Sequence, residues 1–262
     1  MRILMIYKLA KSTLKHLGLL NYARELKLLH SAKSWSTHDS KMKSFYSQFL
    51  HPNSICFDVG ANRGNRVKIF LSLKSKVIGF EPQPHCIDFL KKIYSTNQSF
   101  QLEKVALGEH VGEAKMFLSE VDTLSTLSST WRQKQSESGR FSEIGWKGEV
   151  VVPVQTLDNM IEKYGEPDFI KIDVEGFELN VIKGLTKSFK AMSIEYSPEF
   201  IGPIIECLEI LNQRFGVCFN FSPYESMELI NSNWIDLDQI KNHLKRSKDS
   251  DEYFGDVYIK SL

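Results

Sequence analysis

"CFDVGANRGN", Cys56–Asn65, places a carboxylate, Asp58, two positions ahead of a turn that holds Gly60 and Gly64. The apolar run that leads into it, "SICFDVG" (54–60), reads as a buried strand, and "NRVKIFLSLK" (65–74) reads as the helix that follows. The alternation then continues. "KVIGFEP" (76–82) is a strand, "HCIDFLKKIYST" (85–96) a helix and "FQLEKVALG" (100–108) a third strand. Short β-branched and aromatic runs separated by helical stretches imply a parallel sheet covered by helices on both faces, with right-handed crossovers. The class is therefore α/β.

Farther on, "GEAKMFLSE" (112–120) reads as an extra strand, and the Ser/Thr-rich segment 121–148 as a long loop. "EVVVPVQTLD" (149–158) is a strand, with Thr156 or Asp158 as cap of the helix "NMIEKYG". "PDFIKIDVEG" (167–176) is a buried strand and its exit turn, "FELNVIKGLTKSF" the next helix, and "KAMSIEYSP" (190–198) a further strand. The helix "IIECLEILNQRFG" (204–216) precedes two late strands, "VCFNFSP" (217–223) and "GDVYIKSL" (255–262). No long helix follows the last of these, so it is expected to insert antiparallel to its neighbour.

In an open parallel sheet, ligands sit beyond the carboxyl ends of the strands, where strand order reverses. The first strand ends at Asp58-Val59-Gly60, and the second at Glu81, about 20 residues on, where an acid grips a ribose hydroxyl pair. The dinucleotide pattern G-x-G-x-x-G is missing, because Asn62 stands where the close-approach glycine belongs. The G-K-[ST] of a phosphate loop is missing too. Asp58 would repel a pyrophosphate but attract a cation. A ligand with a ribose, no phosphate and a positive group has the character of S-adenosylmethionine. "GFEPQPHC" (79–86) sets Glu81 before two prolines that stiffen the turn near the adenine side, and "FIKIDVEGFE" (169–178) sets Asp173 and Glu175 at a neighbouring strand tip.

With "DVGANRG", "FEPQP", "ALGEHVGEA", "VQTLD" and "FIKIDVEGFE" in this order, the chain resembles the FkbM family of S-adenosylmethionine-dependent methyltransferases over roughly residues 50–200. The resemblance implies a Rossmann-like seven-strand methyltransferase sheet, mostly parallel with an antiparallel last strand. It implies O-methylation of a hydroxyl on a sugar, glycan, glycolipid or related natural product. Asp58, Gly60, Asn62 and Gly64 would then line the methionine and ribose side, Glu81 would hold the ribose, and Ala106 and Leu107 would border the adenine. Asp173 would touch the cofactor and, with Glu195 and Glu175, supply the candidates for a general base, in the order Asp173, Glu195, Glu175. The family commonly carries a histidine two positions after the acid of the next strand. Here Ser197 follows Glu195, so no histidine base is expected there. Ser125 and Thr126 match a small-hydroxyl cluster of the family, and Trp131 and Trp146 are candidates either to stack on an acceptor or to pack the loop. The three acids suit a divalent cation, but without a ligand spacing none is expected. His85 reads as a solvated residue at a helix start.

The chain has 262 residues, 42% apolar and 25% charged, which suits one α/β domain with a small appendage. Residues 1–50 read as a basic helical extension, with nine Lys and Arg against two Asp and Glu, and residues 51–262 as the methyltransferase domain. Leu4, Tyr7, Ala10, Leu14 and Leu17 recur at helical spacing. This face either docks on the main domain or makes peripheral membrane contact through residues 1–30. "HSAKSWSTHDSK" (30–41) reads as loop. No apolar run reaches the roughly 18 residues of a membrane span, and no signal peptide is expected. Cys56, Cys86, Cys207 and Cys218 form no C-x-x-C pair and read as reduced core thiols of a cytoplasmic protein. Nucleic acid is not an expected partner, since the whole chain carries a net charge of only +1. A nicotinamide-dependent oxidoreductase and a catalytically inert Rossmann-like binding module remain as alternatives. The acceptor's identity and the oligomeric state are not encoded in any motif of the chain.

Overall fold

The computed structural model describes residues 19–137, 145–247 and 254–261. The amphipathic face at Leu4–Leu17 lies outside the described residues. The chain divides into two compact units between Ser40 and Lys41. Before the break, α1 (Leu19–Lys33) is followed by α2 (Thr37–Tyr46), which begins in the first unit and runs into the second. The stretch 30–41, expected to be loop, is thus largely helical. A reciprocal cap explains it: Asp39 N–H donates to Ser36 Oγ (3.0 Å) while Ser36 N–H donates to Asp39 Oδ2 (2.7 Å). Residues 41–50, grouped with the extension on sequence, place Met42, Phe45, Tyr46 and Leu50 in the core of the second unit.

The second unit is built on a seven-stranded sheet. Its strands are β1 (Ile55–Val59), β2 (Lys76–Phe80), β3 (Phe100–Glu103), β7 (Phe169–Ile172), β8 (Ala191–Tyr196), β9 (Val217–Pro223) and β10 (Gly255–Ser261). Their order is β3-β2-β1-β7-β8-β10-β9, and β10 runs antiparallel to both neighbours. The expected α/β class and antiparallel last strand are both present. β1 is the switch point: the chain leaves it toward β2 and β3 on one side and later returns to β7 and β8 on the other. Helices α3 (Asn65–Ser72) and α4 (Pro84–Tyr94) join the first three strands. Pro84 occupies the first turn of α4, where its missing N–H costs nothing, and Cys86, Ile87, Phe89 and Leu90 bury one face. Strand alternation sends Phe57 and Val59 into one apolar layer and Cys56 into the other. All four cysteines are free thiols, and only Cys218 is partly exposed.

Two expectations fail locally. "FQLEKVALG" is not one strand. It breaks after Glu103, and Ala106–Leu107 (β4) pairs instead with β6 (Trp146–Gln155). With β5 (Gly112–Ser119), these form a second sheet in the order β4-β6-β5. β3 is an edge strand of the main sheet, so the chain leaves it without sacrificing a ladder on its far side. Segment 121–148 is not simply loop, because it contains helix α5 (Ser129–Glu137). Ser128 Oγ accepts from Trp131 N–H (3.1 Å), and the Trp131 ring is buried against Gly176. A single large apolar side chain seats a helix that composition alone hides. Thr156, not Asp158, caps α6 (Leu157–Tyr164), by accepting from Asn159 N–H at 3.2 Å. Asp158 instead accepts from the Thr186 and Lys187 N–H groups.

Candidate active site

The exit of β1 is pinned on both sides. Gly60 and Ala61 N–H groups donate to the Phe80 carbonyl, and Asp173 N–H donates to the Val59 carbonyl. This brings the tips of β1, β2 and β7 together. A Cβ on Gly60 would collide with the Asp173 carbonyl oxygen, and its φ of +84° lies in the left-handed region. Gly60→Ala is therefore expected to cost about 3 kcal/mol and to lower the melting temperature by roughly 6–12 °C. A thermal melt matching wild type would show that the turn relaxes freely.

An open cavity lies between these tips. Gly60, Asn62, Glu81, Ala106, Leu107, Asp173 and Glu175 all line it. Asp58, Gly64 and Glu195 are outside the lining. Asp58 lies one residue behind the wall, buried beside its register partner Lys171, and its Oδ2 has no hydrogen-bond partner. Gly64 (φ +79°) serves packing, since a Cβ there would strike Leu90 and Tyr94 of α4. Glu195 stands behind Asp173, and the carboxylate oxygens of Asp173, Glu175 and Glu195 lie within 4.8 Å of one another. These oxygens suit a divalent cation, but the Lys171 ammonium already donates to Asp173 Oδ2 at 2.6 Å.

Glu81 is 1% exposed. Its Oε2 accepts from Asn62 N–H (2.7 Å) and its Oε1 from Gln83 N–H (2.8 Å), which leaves one lone pair on each oxygen. Burial nevertheless outweighs these bonds and pushes its pKa up to about 7. Burial likewise raises Asp58 to about 6, against the pull of Lys171. Asp173 goes the other way. Burial opposes its charge, but the Lys171 ammonium and hydrogen bonds from Glu195 and Lys171 hold it below the usual carboxylate range. Glu195 and Glu175 are pushed well up, by burial first and then by the charge of Asp173. The cluster thus favours the ionised form at Asp173 and the protonated form at Glu175 and Glu195. The turn Asp173–Gly176 is itself held in place. Glu178 Oε1 accepts from Val174 and Gly176 N–H, and Thr126 Oγ1 donates to the Glu175 carbonyl at 2.6 Å.

The loop hydroxyls and tryptophans divide in role. Ser125 lines the cavity and its Oγ accepts from Ser119 N–H, whereas Trp131 is buried and unable to present a stacking face. Trp146 is part-exposed, with the Arg132 guanidinium over its ring. His85, expected to be solvated, has Nε2 2.7 Å from Asp122 Oδ1, and Arg63 also donates to the Asp122 carboxylate. Asp122 and Gln83, both on the cavity wall, escaped the sequence reading, as did Lys171. The available signal for Lys171 was a lone cation inside an otherwise apolar strand, "FIKI".

Residues 58–216 match the family described as "Methyltransferase FkbM domain". The 2-O-methyltransferase NoeI of Sinorhizobium fredii is 27% identical over 56% of this chain and 65% of its own length. The hexuronic acid methyltransferase AglP of Haloferax volcanii is 24% identical over 54% of each chain. This chain thus spans less than two thirds of the length of either relative. Among solved structures, precorrin-6y C5,15-methyltransferase of Geobacter metallireducens GS-15 superposes with a TM-score of 0.44 at 10% identity, over 84% of this chain and 86% of that one. No described helix is long and apolar enough to cross a membrane. Residues 58–216 make up more than half of the chain, which belongs to the FkbM methyltransferases.

Proposed function

We propose that this protein transfers a methyl group from S-adenosylmethionine to a hydroxyl oxygen of a sugar, a glycan or a related small molecule. The observation that carries the reading is the cavity that joins Glu81, the glycine turn and an ionised Asp173 at the switch point. Two features of the chain fit the cofactor: Gly60 and Asn62 of the turn line the cavity, and Glu81 on the same wall keeps a free lone pair on each oxygen. Asn62, Gly60 and Asp173 would hold the methionine end, Glu81 the ribose diol, and Ala106 and Leu107 the adenine.

S-adenosylmethionine supplies an electrophilic methyl group on a cationic sulfur. The chain supplies alignment, worth up to about 7–11 kcal/mol in well-oriented systems, and a place for the hydroxyl proton. Asp173 is the ionised acid on the cavity wall, so it takes that proton. Lys171 holds its Oδ2, and protonated Glu195 donates to it. The names of the two relatives, a 2-O-methyltransferase and a hexuronic acid methyltransferase, support a carbohydrate acceptor, and the first of them an oxygen as the atom methylated.

The test is incubation with methyl-labelled S-adenosylmethionine and a panel of neutral sugars, hexuronic acids and glycolipids, followed by product analysis. An O-methyl ether is the expected product. Label recovered only on nitrogen or carbon would sink the hydroxyl assignment. Calorimetry with S-adenosylhomocysteine should show tight binding, and a folded protein that takes up none is no methyltransferase.

A further inference from the structure

Gln83 sits in the cavity wall two residues beyond Glu81, between the prolines of "EPQP". It is 4% exposed and fixed at both ends. Its N–H donates to Glu81 Oε1 at 2.8 Å, and its side-chain Nε2 donates to the Asp122 carbonyl at 3.1 Å. A carbonyl can only accept, so this bond decides which end of the amide is nitrogen. The other end, Oε1, is a buried acceptor with no partner. A buried carbonyl oxygen left unsatisfied is costly, and such a group in a cavity wall is commonly completed by a ligand.

The rest of the cavity wall narrows the donor. The same cavity is lined by the apolar Pro82, Val105, Leu107 and Met116, and by the polar Asp122, Thr123 and Ser125. A largely apolar wall with one unpartnered acceptor among its residues suits a flat heteroaromatic base that carries an exocyclic amino group. We propose that Gln83 Oε1 accepts a hydrogen bond from the 6-amino group of the cofactor's adenine, and so makes this pocket select adenine over other purines. The inference rests on the cofactor assignment given above. Asp122 is the positioning residue. Arg63 and His85 hold its carboxylate, and its carbonyl keeps the Gln83 amide from turning over.

The experiment compares S-adenosylhomocysteine with the analogue whose base is unsubstituted purine, lacking only the 6-amino group. Both are titrated into wild type and into Gln83→Met, a variant of similar shape without the acceptor. Wild type is expected to prefer the adenine ligand by about tenfold, the effect of leaving one buried acceptor unpaired. In Gln83→Met the two ligands should bind within about threefold of each other. The ratio is insensitive to partial unfolding, and a merely structural role for Gln83 would weaken both ligands alike and leave it unchanged. A variant that keeps the wild-type preference, or a wild type that shows none, overturns the role of Gln83 while the cofactor assignment stands. A wild type that binds neither ligand overturns both.

Discussion

Asp173→Asn is expected to lower kcat for methyl transfer by about 10²–10⁴-fold, and Glu195→Gln by less than about tenfold. The two acids lie in one cluster, but their charge states differ. The buried Lys171 ammonium favours ionised Asp173, while burial and the charge of Asp173 favour protonated Glu195. A protonated glutamic acid acts as a hydrogen-bond donor, a part glutamine also plays. An ionised aspartate acts as a proton acceptor, a part asparagine cannot play. S-adenosylhomocysteine affinity and thermal melts of both variants separate loss of chemistry from loss of fold. If Glu195→Gln proved the more damaging, the base would be Glu195. The acid limb of the kcat/KM profile should lie below the ordinary carboxylate range, and Lys171→Met should move it upward, because the cation that favours ionised Asp173 is gone.

Glu81→Ala should weaken S-adenosylhomocysteine binding by at least about 100-fold, since two hydrogen bonds to a charged group contribute roughly 1.5–3 kcal/mol each. A proton accompanies this interaction. Glu81 titrates near 7 in the free protein, and ribose hydroxyls donating to it favour the ionised form. Binding at pH 7 should therefore release about half a proton from this group, and at pH 9 close to none. Calorimetry in buffers of different ionisation heat measures it, and a release that survives in Glu81→Ala would assign the proton elsewhere. Stability follows the same group. Below about pH 4.5 the carboxyl is protonated both folded and unfolded. As pH rises through 7 the folded state holds a proton that the unfolded state has released, so the ligand-free protein loses about 3 kcal/mol of stability from Glu81. Acid-side melts of wild type against the variant check the sign.

How far the site could be read from the chain depended on what each residue needs. Gly60, Asn62, Glu81, Asp173 and Glu175 were legible because a turn and two strand tips require them at fixed offsets, and all five reach the cavity wall. Gly64, expected on the cofactor side, lies outside the cavity lining and close against α4. A glycine needed for close helix packing and one needed for ligand approach look the same in a sequence. Trp131 and α5 were hidden because one aromatic side chain in a polar stretch gives no periodicity. Asp122 and Gln83 were missed because their roles come from segments 39 residues apart that meet only in the folded chain.

The sequence by itself determined the alternation of strands and helices, the class of the sheet, the switch point and the family. Each of these rests on local periodicity or on side chains at short, fixed spacings. Tertiary structure decided which strand left the main sheet at residue 104, which acid is ionised and which amide oxygen is left free. Those are properties of burial and of neighbours brought from elsewhere in the chain. A carboxyl group's charge is set by the difference between its desolvation and the fields around it, and neither is fixed until the fold places Lys171 beneath Asp173.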